Sequence, residues 1–182
     1  IQNASGTGTP YITGAVLQTV VQQETGATTF TQSGTNEVIM IASNAGNSTS
    51  HLSLSITPKS ANSKILLTAS IFHEINNNAN HSTLWSFYRD STKLAAPVSG
   101  SRRSAIAQTV MGYASFDASS TADMATYHYY DSPSTTSAIT YAVSFQNTES
   151  NIVLSLNKTV DDHNTASFER GISILIAQEI GG

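Results

Sequence analysis

The segment KILLTASIFHE, at residues 64–74, decides the fold of this chain because its apolar residues recur with a period of two. The odd-numbered residues from Ile65 to Ile71 are all apolar and would lie on one face of a β-strand. The even-numbered residues from Leu66 to Phe72 would lie on the other face, which is also partly apolar. Such a strand is expected at the centre of a sheet that is covered on both sides.

The same alternation recurs in shorter segments along the chain. Candidate strands lie at residues 16–22, 38–41, 52–56, 82–89, 93–95, 127–131, 139–145, 152–156 and 172–176, with a short helix or weak strand at 106–111. Turns rich in Ser, Thr, Asn and Pro separate them, and no convincing amphipathic helix is present. The pattern therefore predicts an all-β fold, an antiparallel β-sandwich, with a jelly roll as the preferred version.

The length of 182 residues fits one domain. Residues 1–14 contain Gly6, Gly8, Pro10 and Gly14 and predict a flexible linker or a junction with a shaft. Residues 15–182 are predicted to form the β-sandwich head.

Composition excludes several classes of partner. Charged residues make up 11% of the chain against roughly 25% in ordinary soluble domains, and the net charge is −4. No basic field exists to attract a nucleic acid, and no apolar run approaches the ~20 residues that span a bilayer. The chain has no cysteine, which fits a protein made in a reducing cytoplasm and used outside the cell. We expect no nucleic-acid partner and no membrane insertion.

Surplus aromatic residues suggest an assembly. Phe72, Trp85, Phe87 and several tyrosines exceed what one inner face of a two-layer sandwich needs. We expect another subunit to cover them, although loops or the second sheet are the alternative.

The sequence offers no recognisable catalytic or metal site. The histidines, His51, His73, His81, His128 and His163, are scattered without metal-binding spacing. His163 follows Asp161 and Asp162, which we interpret as a solvated acidic turn. No nucleophile elbow and no recognisable glycosidase pair are present, so we expect no enzyme activity, no catalytic or metal-binding residues and no cofactor.

One segment is a candidate for recognition. It carries Asn76, Asn77, Asn78, Asn80 and His81 between two strong strands, and it is longer than a hairpin needs. Amide and imidazole groups can bind sugar hydroxyls, and loops on a rigid sandwich often carry binding. A plain polar loop is the alternative.

Several segments resemble virion proteins of marine and cyanobacterial phages, including tail-fibre-like proteins. They are SITP at 55–58, SKIL at 63–66, DSPSTTSA at 131–138 with Thr140 and Tyr141, VLQ at 16–18, Arg89 with Ser91 and Thr92, residues 100–102, RGIS at 170–173 and residues 179–180. The resemblance covers residues 16–180, and residues 76–81 depart from it. These are packing and turn motifs, so no binding residue carries over.

The resemblance implies a virion surface protein with a trimeric jelly roll like the heads of tumour-necrosis-factor and complement-type proteins. The leading hypothesis is the distal head of a homotrimeric phage tail fibre that attaches to a bacterial surface glycan or protein. Its partners would be other copies of itself, other virion proteins and the host surface. A trimeric capsid decoration (cement) protein is the alternative, and a polysaccharide-degrading head is a minor one. Each would be located on the virion after synthesis in the host cytoplasm.

Overall fold

The computed structural model describes residues 12–75, 82–110 and 119–182. These residues form β-strands and one short 3-10 helix at Ala42–Asn44, with no α-helix among them. The strands are β1 (Val16–Glu24), β2 (Thr28–Thr31), β3 (Val38–Ile39), β4 (Ser53–Ile56), β5 (Lys64–Ile75), β6 (Ser82–Arg89), β7 (Thr92–Leu94), β8 (Ala107–Val110), β9 (Asp123–Asp131), β10 (Ile139–Asn147), β11 (Val153–Leu156) and β12 (Ser173–Ile180). The described part of the chain is therefore all-β.

The first sheet is built around β5. Its main strand order is β1-β12-β5-β9, and every pair is antiparallel. β11 pairs with the last three residues of β5 and also with β2. The segment at 64–74 thus forms the predicted central strand. The second sheet covers only its odd-numbered face, whereas the alternation predicts cover on both faces.

The second sheet is built around β10 and β6. Its main order is β4-β10-β6-β7, while β3 also pairs with β10 and β8 also pairs with β6. The eight strands of these two main orders pair in a nested way along the chain. β1 pairs with β12, β4 with β10, β5 with β9 and β6 with β7. This nesting is the connectivity of a jelly roll. The predicted antiparallel β-sandwich is confirmed.

The core lies between the two sheets and takes up most of the large aromatic side chains. Trp85 and Phe87 are fully buried there, and the Phe87 ring lies 4.7 Å from that of Tyr127. The expectation that another subunit covers Trp85 and Phe87 is wrong, because the odd-numbered residues of β6 point towards the other sheet of the same chain. Phe72 differs, since it is half-buried on the outside of β5.

Three strands differ clearly from the sequence prediction, and one of them, β12, continues to Ile180 rather than ending at residue 176. β9 begins at Asp123 rather than at residue 127, because Ala125 continues its buried face with only a small side chain. β2 was not predicted, because TTFT contains one large apolar residue, Phe30. The weak segment near residue 106 is a strand, β8, which pairs with β6.

The first described residues and the last residues of the chain lie together at one end of the sandwich. The Gly14 amide donates to the Gly181 carbonyl at 2.8 Å, and the Gly181 amide donates to the Ala15 carbonyl at 2.9 Å. Ile180 pairs with Lys64, the first residue of β5, so these residues lie where β5 begins. β5 runs from there for about 36 Å at ~3.3 Å per residue. Residues 1–11, most of the predicted linker, lie outside the described residues.

Candidate functional site

The predicted recognition residues cannot be placed in the fold. Asn76, Asn77, Asn78, Asn80 and His81 lie outside the described residues. Candidate sites are therefore sought on the described surface.

The outer side of the first sheet carries several exposed apolar residues, and we call it the open face. Burial along each strand alternates, so that every second residue points away from the core. The open face comprises the outward-pointing residues Val16, Thr19, Val21 and Gln23 on β1, Ile174, Ile176, Gln178 and Ile180 on β12, Lys64, Leu66, Thr68, Ser70 and Phe72 on β5, and Met124, Thr126, His128 and Tyr130 on β9.

The open face is nearly uncharged, and about half of its residues are apolar. Val16, Val21, Met124 and Tyr130 each have about half of their surface exposed (54%, 51%, 47% and 55%). Among the residues that define the face, all of which the structure describes, Lys64 is the one Lys, Arg, Asp or Glu. Isolated exposed apolar residues are ordinary, whereas a contiguous apolar surface marks an interaction site.

The strand register makes the open face continuous. Val21 pairs with Ile176, and Ile176 pairs in turn with Thr68 on β5. The next row joins Gln178, Leu66 and Tyr130. Apolar groups therefore alternate with hydroxyls and amides across four strands, which leaves one uninterrupted neutral surface.

The outer side of the second sheet has a different character, because Thr35 and Glu37 contact side chains on it. Glu37 accepts hydrogen bonds from the hydroxyls of Ser144 at 2.7 Å and Tyr88 at 3.2 Å, and it pairs with Lys93 at 2.8 Å. Burial and this carboxylate raise the pKa of Tyr88 to about 12. The Gln146 side chain also donates to the Thr35 carbonyl. Residues 35–37 thus contact the outer side of the second sheet. On the open face, the described chain packs Gly171 against Phe72 and leaves Val16, Val21, Met124 and Tyr130 about half exposed.

The described histidines occupy separate environments. His73 is fully buried, and its Nδ1 lies 3.1 Å from the Ile71 carbonyl, so Nδ1 donates to that carbonyl. Burial lowers the pKa of His73 below its ordinary value of 6.5. His128 lies on the open face, 3.0 Å from the Thr68 hydroxyl. Within residues 12–75, 82–110 and 119–182, no three His, Cys, Asp or Glu side chains come together to hold a metal.

Three glutamates at strand ends hold loops in place. The Glu74 carboxylate accepts the amide hydrogens of Thr121 at 2.9 Å and Val160 at 2.5 Å. Glu179 accepts from the Lys59 amide at 2.7 Å and the Gln18 side chain at 2.6 Å. Glu24 binds two backbone amides in the same way. These acids have structural hydrogen-bond partners on both oxygens.

A buried aspartate, Asp131, joins two segments quoted for the phage resemblance. Asp131 pairs with Arg89 at 3.0 Å and accepts the Tyr141 hydroxyl hydrogen at 2.6 Å. Burial and this hydrogen bond raise the pKa of Tyr141 well above its usual range. The two segments therefore meet at a packing contact between the sheets.

The loop between β11 and β12 holds a small pocket of about 200 Å³. Its lining residues are Asp162, His163, Asn164, Thr165, Phe168 and Arg170. Arg170 donates to both oxygens of Asp162, at 2.9 and 2.6 Å. The acidic turn predicted at residues 161–163 is exposed, but Asp162 in it is ion-paired. Phe168, five residues after this turn, completes the pocket. Sequence reasoning missed the pocket because folding of the loop brings Phe168 and Arg170 back to Asp162.

A second depression lies beside residues 35–37, which contact the second sheet. It measures about 270 Å³ and is lined by Thr31, Ser33, Asn36, Glu37, Val38 and Asn44. Its carboxylate, Glu37, already binds Tyr88, Ser144 and Lys93. This depression therefore has no free charged group at its centre.

None of the helical structure in residues 12–75, 82–110 and 119–182 is long and apolar enough to cross a membrane.

Comparisons with known proteins give a weak result. No protein-family model and no curated protein matches the chain. Among solved structures, a chain from the structure of infectious bursal disease virus, Gx strain, is similar with a TM-score of 0.37 and 10% sequence identity. The match covers 92% of this chain but 37% of that one, so this chain spans little more than a third of its length. This likeness is too weak to carry a functional argument, and the resemblance to phage tail-fibre-like proteins stays a prediction.

Proposed function

We propose that this chain is a non-catalytic virion surface protein, the distal receptor-binding head of a homotrimeric phage tail fibre. In this proposal, copies of the chain associate through the open face. The observation that carries it is the contrast between the two outer surfaces in the described part of the chain. Thr35 and Glu37 contact the outer side of the second sheet, whereas four apolar side chains of the nearly uncharged open face stay about half exposed. Contiguous apolar surfaces on soluble domains are typical of subunit contacts.

The chemistry of the open face favours another copy of the same chain as its partner. A face whose one formal charge is Lys64 has no charge pattern with which to select a different protein. Closed, symmetric homo-oligomers are the commonest assemblies of soluble proteins. The proposed number of three chains per assembly comes from the trimeric jelly-roll heads that the sequence resemblance implies.

The position of the first described residues and the last residues supports a head that is attached at one end. Gly14 and Gly181 are hydrogen-bonded beside the start of β5. Residues that precede Ile12 therefore join the sandwich at that end, and the loops at the far end of β5 point away from the junction. Three equivalent sites at the far end would bind a repetitive host surface with avidity even if each site is weak.

The environment of the buried acids supports a role without catalysis. Glu24, Glu74 and Glu179 each bind two N–H groups, and Asp131 binds Arg89 and Tyr141. A glycosidase needs two carboxyl groups that flank a substrate, with one of them free to transfer a proton. These four acids are instead engaged in holding loops and strands.

Electron cryo-microscopy of the phage particle tests the fibre assignment. We expect the density of this domain at the tip of fibres that project from the tail. Density at fixed positions on the capsid lattice would contradict the fibre assignment and favour the cement protein. Clearing of a host capsule by the purified protein would contradict the non-catalytic part of the proposal.

A further inference from the structure

The pocket in the loop between β11 and β12 has no part in the proposed assembly. It lies at the end of the sandwich opposite the start of β5, because the Gly171 amide donates to the Asn157 carbonyl beside Phe72, near the end of β5. An isolated bridge between Lys158 and Arg170 closes the base of the loop. The pocket is therefore presented on a closed loop at the far end of the domain.

We propose that this pocket binds a single neutral sugar ring of a surface polysaccharide. The inference rests on the proposed function, because it names the ligand class and the site of the receptor-binding head. The volume of about 200 Å³ is below the roughly 300–1,000 Å³ of pockets that enclose drug-sized ligands. A pocket of this volume suits one sugar ring of a longer polysaccharide.

Phe168 supplies the apolar surface that a sugar ring requires. It is half-buried, and the His163 ring packs edge-on against it with 5.2 Å between the ring centres. This contact and the hydrogen bond from the Phe168 amide to the Thr165 carbonyl at 3.3 Å fix the ring before any ligand arrives. The C–H groups on one face of a pyranose can pack on such a ring, and a fixed ring loses little entropy on binding.

Asp162 and Arg170 supply paired polar groups beside that ring. Arg170 uses Nε and Nη2 to hold both oxygens of Asp162, and Lys158 lies 3.8 Å from the same carboxylate. Each carboxylate oxygen keeps a further lone pair, and the guanidinium keeps further N–H groups. With the Asn164 amide, these groups present adjacent donors and acceptors, which match neighbouring sugar hydroxyls.

Charge favours a neutral ligand over an anionic one. Asp161, Asp162 and Glu169 outnumber Lys158 and Arg170 on this loop. An anionic group would have to displace Asp162 from Arg170 and would leave that carboxylate beside it. A hydroxyl can instead bind the existing ion pair without breaking it.

Saturation-transfer difference NMR on the full chain tests the inference. The probes are the methyl glycosides of glucose, galactose, mannose and N-acetylglucosamine, with glucuronate and inorganic phosphate as anionic competitors. We expect at least one glycoside to bind with a dissociation constant on the order of 1 mM. Phe168→Ala and Asp162→Asn should each weaken that binding at least tenfold.

Glu169→Gln is the matched control, because it also turns an exposed carboxylate into an amide on the same loop but does not line the pocket. It should bind like the unmodified chain, and the melting temperatures of all variants should agree. Binding of no glycoside, preference for the anions, or equal effects of Asp162→Asn and Glu169→Gln would each overturn the inference. A chain that is trimeric and lies at the fibre tip but binds no glycoside would refute this inference alone, whereas a monomeric chain would refute the proposed function.

Discussion

Glu74 shows at the scale of one residue how the sandwich fixes its loops. Both carboxylate oxygens accept backbone amide hydrogens, from Thr121 and Val160, in a site without solvent exposure. The side chain therefore ties two loops to the end of β5. Glu24 and Glu179 do the same elsewhere, which is why acids occur at buried positions in a chain with few charges.

We predict that Glu74→Gln lowers the free energy of unfolding by about 1.5–3 kcal/mol. The amide keeps one acceptor oxygen and directs an NH₂ group towards a backbone N–H, so one buried donor loses its partner. Urea unfolding followed by circular dichroism measures the loss. Glu169→Gln, an exposed change of the same chemistry, should change the free energy by less than about 0.5 kcal/mol. Equal effects of the two changes would contradict the structural role of Glu74.

His73 gives the domain a pH-dependent stability. Burial lowers its pKa below 6.5, so the unfolded chain binds a proton that the folded chain does not. The free energy of unfolding should therefore fall as the pH drops below 6.5, by up to about 1.4 kcal/mol per pH unit for this residue. Above that pH, His73 is neutral in both states and contributes no pH dependence.

The measurement compares the unmodified chain with His73→Phe by urea unfolding between pH 5 and pH 7.5. The variant should lose stability through the missing hydrogen bond to Ile71 at every pH. It should also lose less stability than the unmodified chain on acidification. The same pH dependence in both proteins would show that His73 does not carry it.

At the scale of the strand, Phe72 and Gly171 form a close contact between β5 and the chain entering β12. A Cβ atom added at Gly171 would overlap the Phe72 ring. We predict that Gly171→Ala costs about 1–3 kcal/mol, as an overpacked site does. In a chain that also carries Phe72→Ala, Gly171→Ala should change the free energy of unfolding very little. The double-mutant cycle should therefore give a coupling free energy of opposite sign to the loss from Gly171→Ala alone. Additive effects would contradict the contact.

The same strand shows what the sequence could predict and what it could not. The alternation in residues 64–74 was enough to place β5 at the centre of a sheet, because a two-residue period fixes which side chains share a face. The alternation alone does not show which of the two faces of β5 meets the core. That choice depends on the second sheet, which takes Ile65 and its inward neighbours and leaves Leu66 outside.

The aromatic residues of β6 show the same limit. Their number suggested a subunit contact, yet Trp85 and Phe87 fill the space between the sheets. The apolar part of the open face instead includes aliphatic residues on β1 and β12, such as Val21 and Ile176, together with Tyr130 on β9. Counting aromatic residues could not reveal it, because the face arises only when strands from opposite ends of the chain pair.

At the scale of the whole molecule, the open face is the surface on which the proposed assembly depends. We predict that Ile176→Lys dissociates the assembly, since a charge would lie at the centre of an apolar contact without a partner. The isolated domain should still fold with this change, because the lysine side chain can reach water. Val21→Lys, at a more exposed position, should also dissociate the assembly. Ser55→Lys, on the outside of the other sheet, is the control and should leave the assembly intact.

The molar mass of the unmodified chain in solution tests the central claim most directly. Light scattering coupled to size-exclusion chromatography should give three times the chain mass of 19.3 kDa, and Ile176→Lys should give the mass of one chain with an unchanged circular dichroism spectrum. A single-chain mass for the unmodified protein across the accessible concentration range, or a trimer that persists with lysine at residue 176, would contradict assembly through the open face.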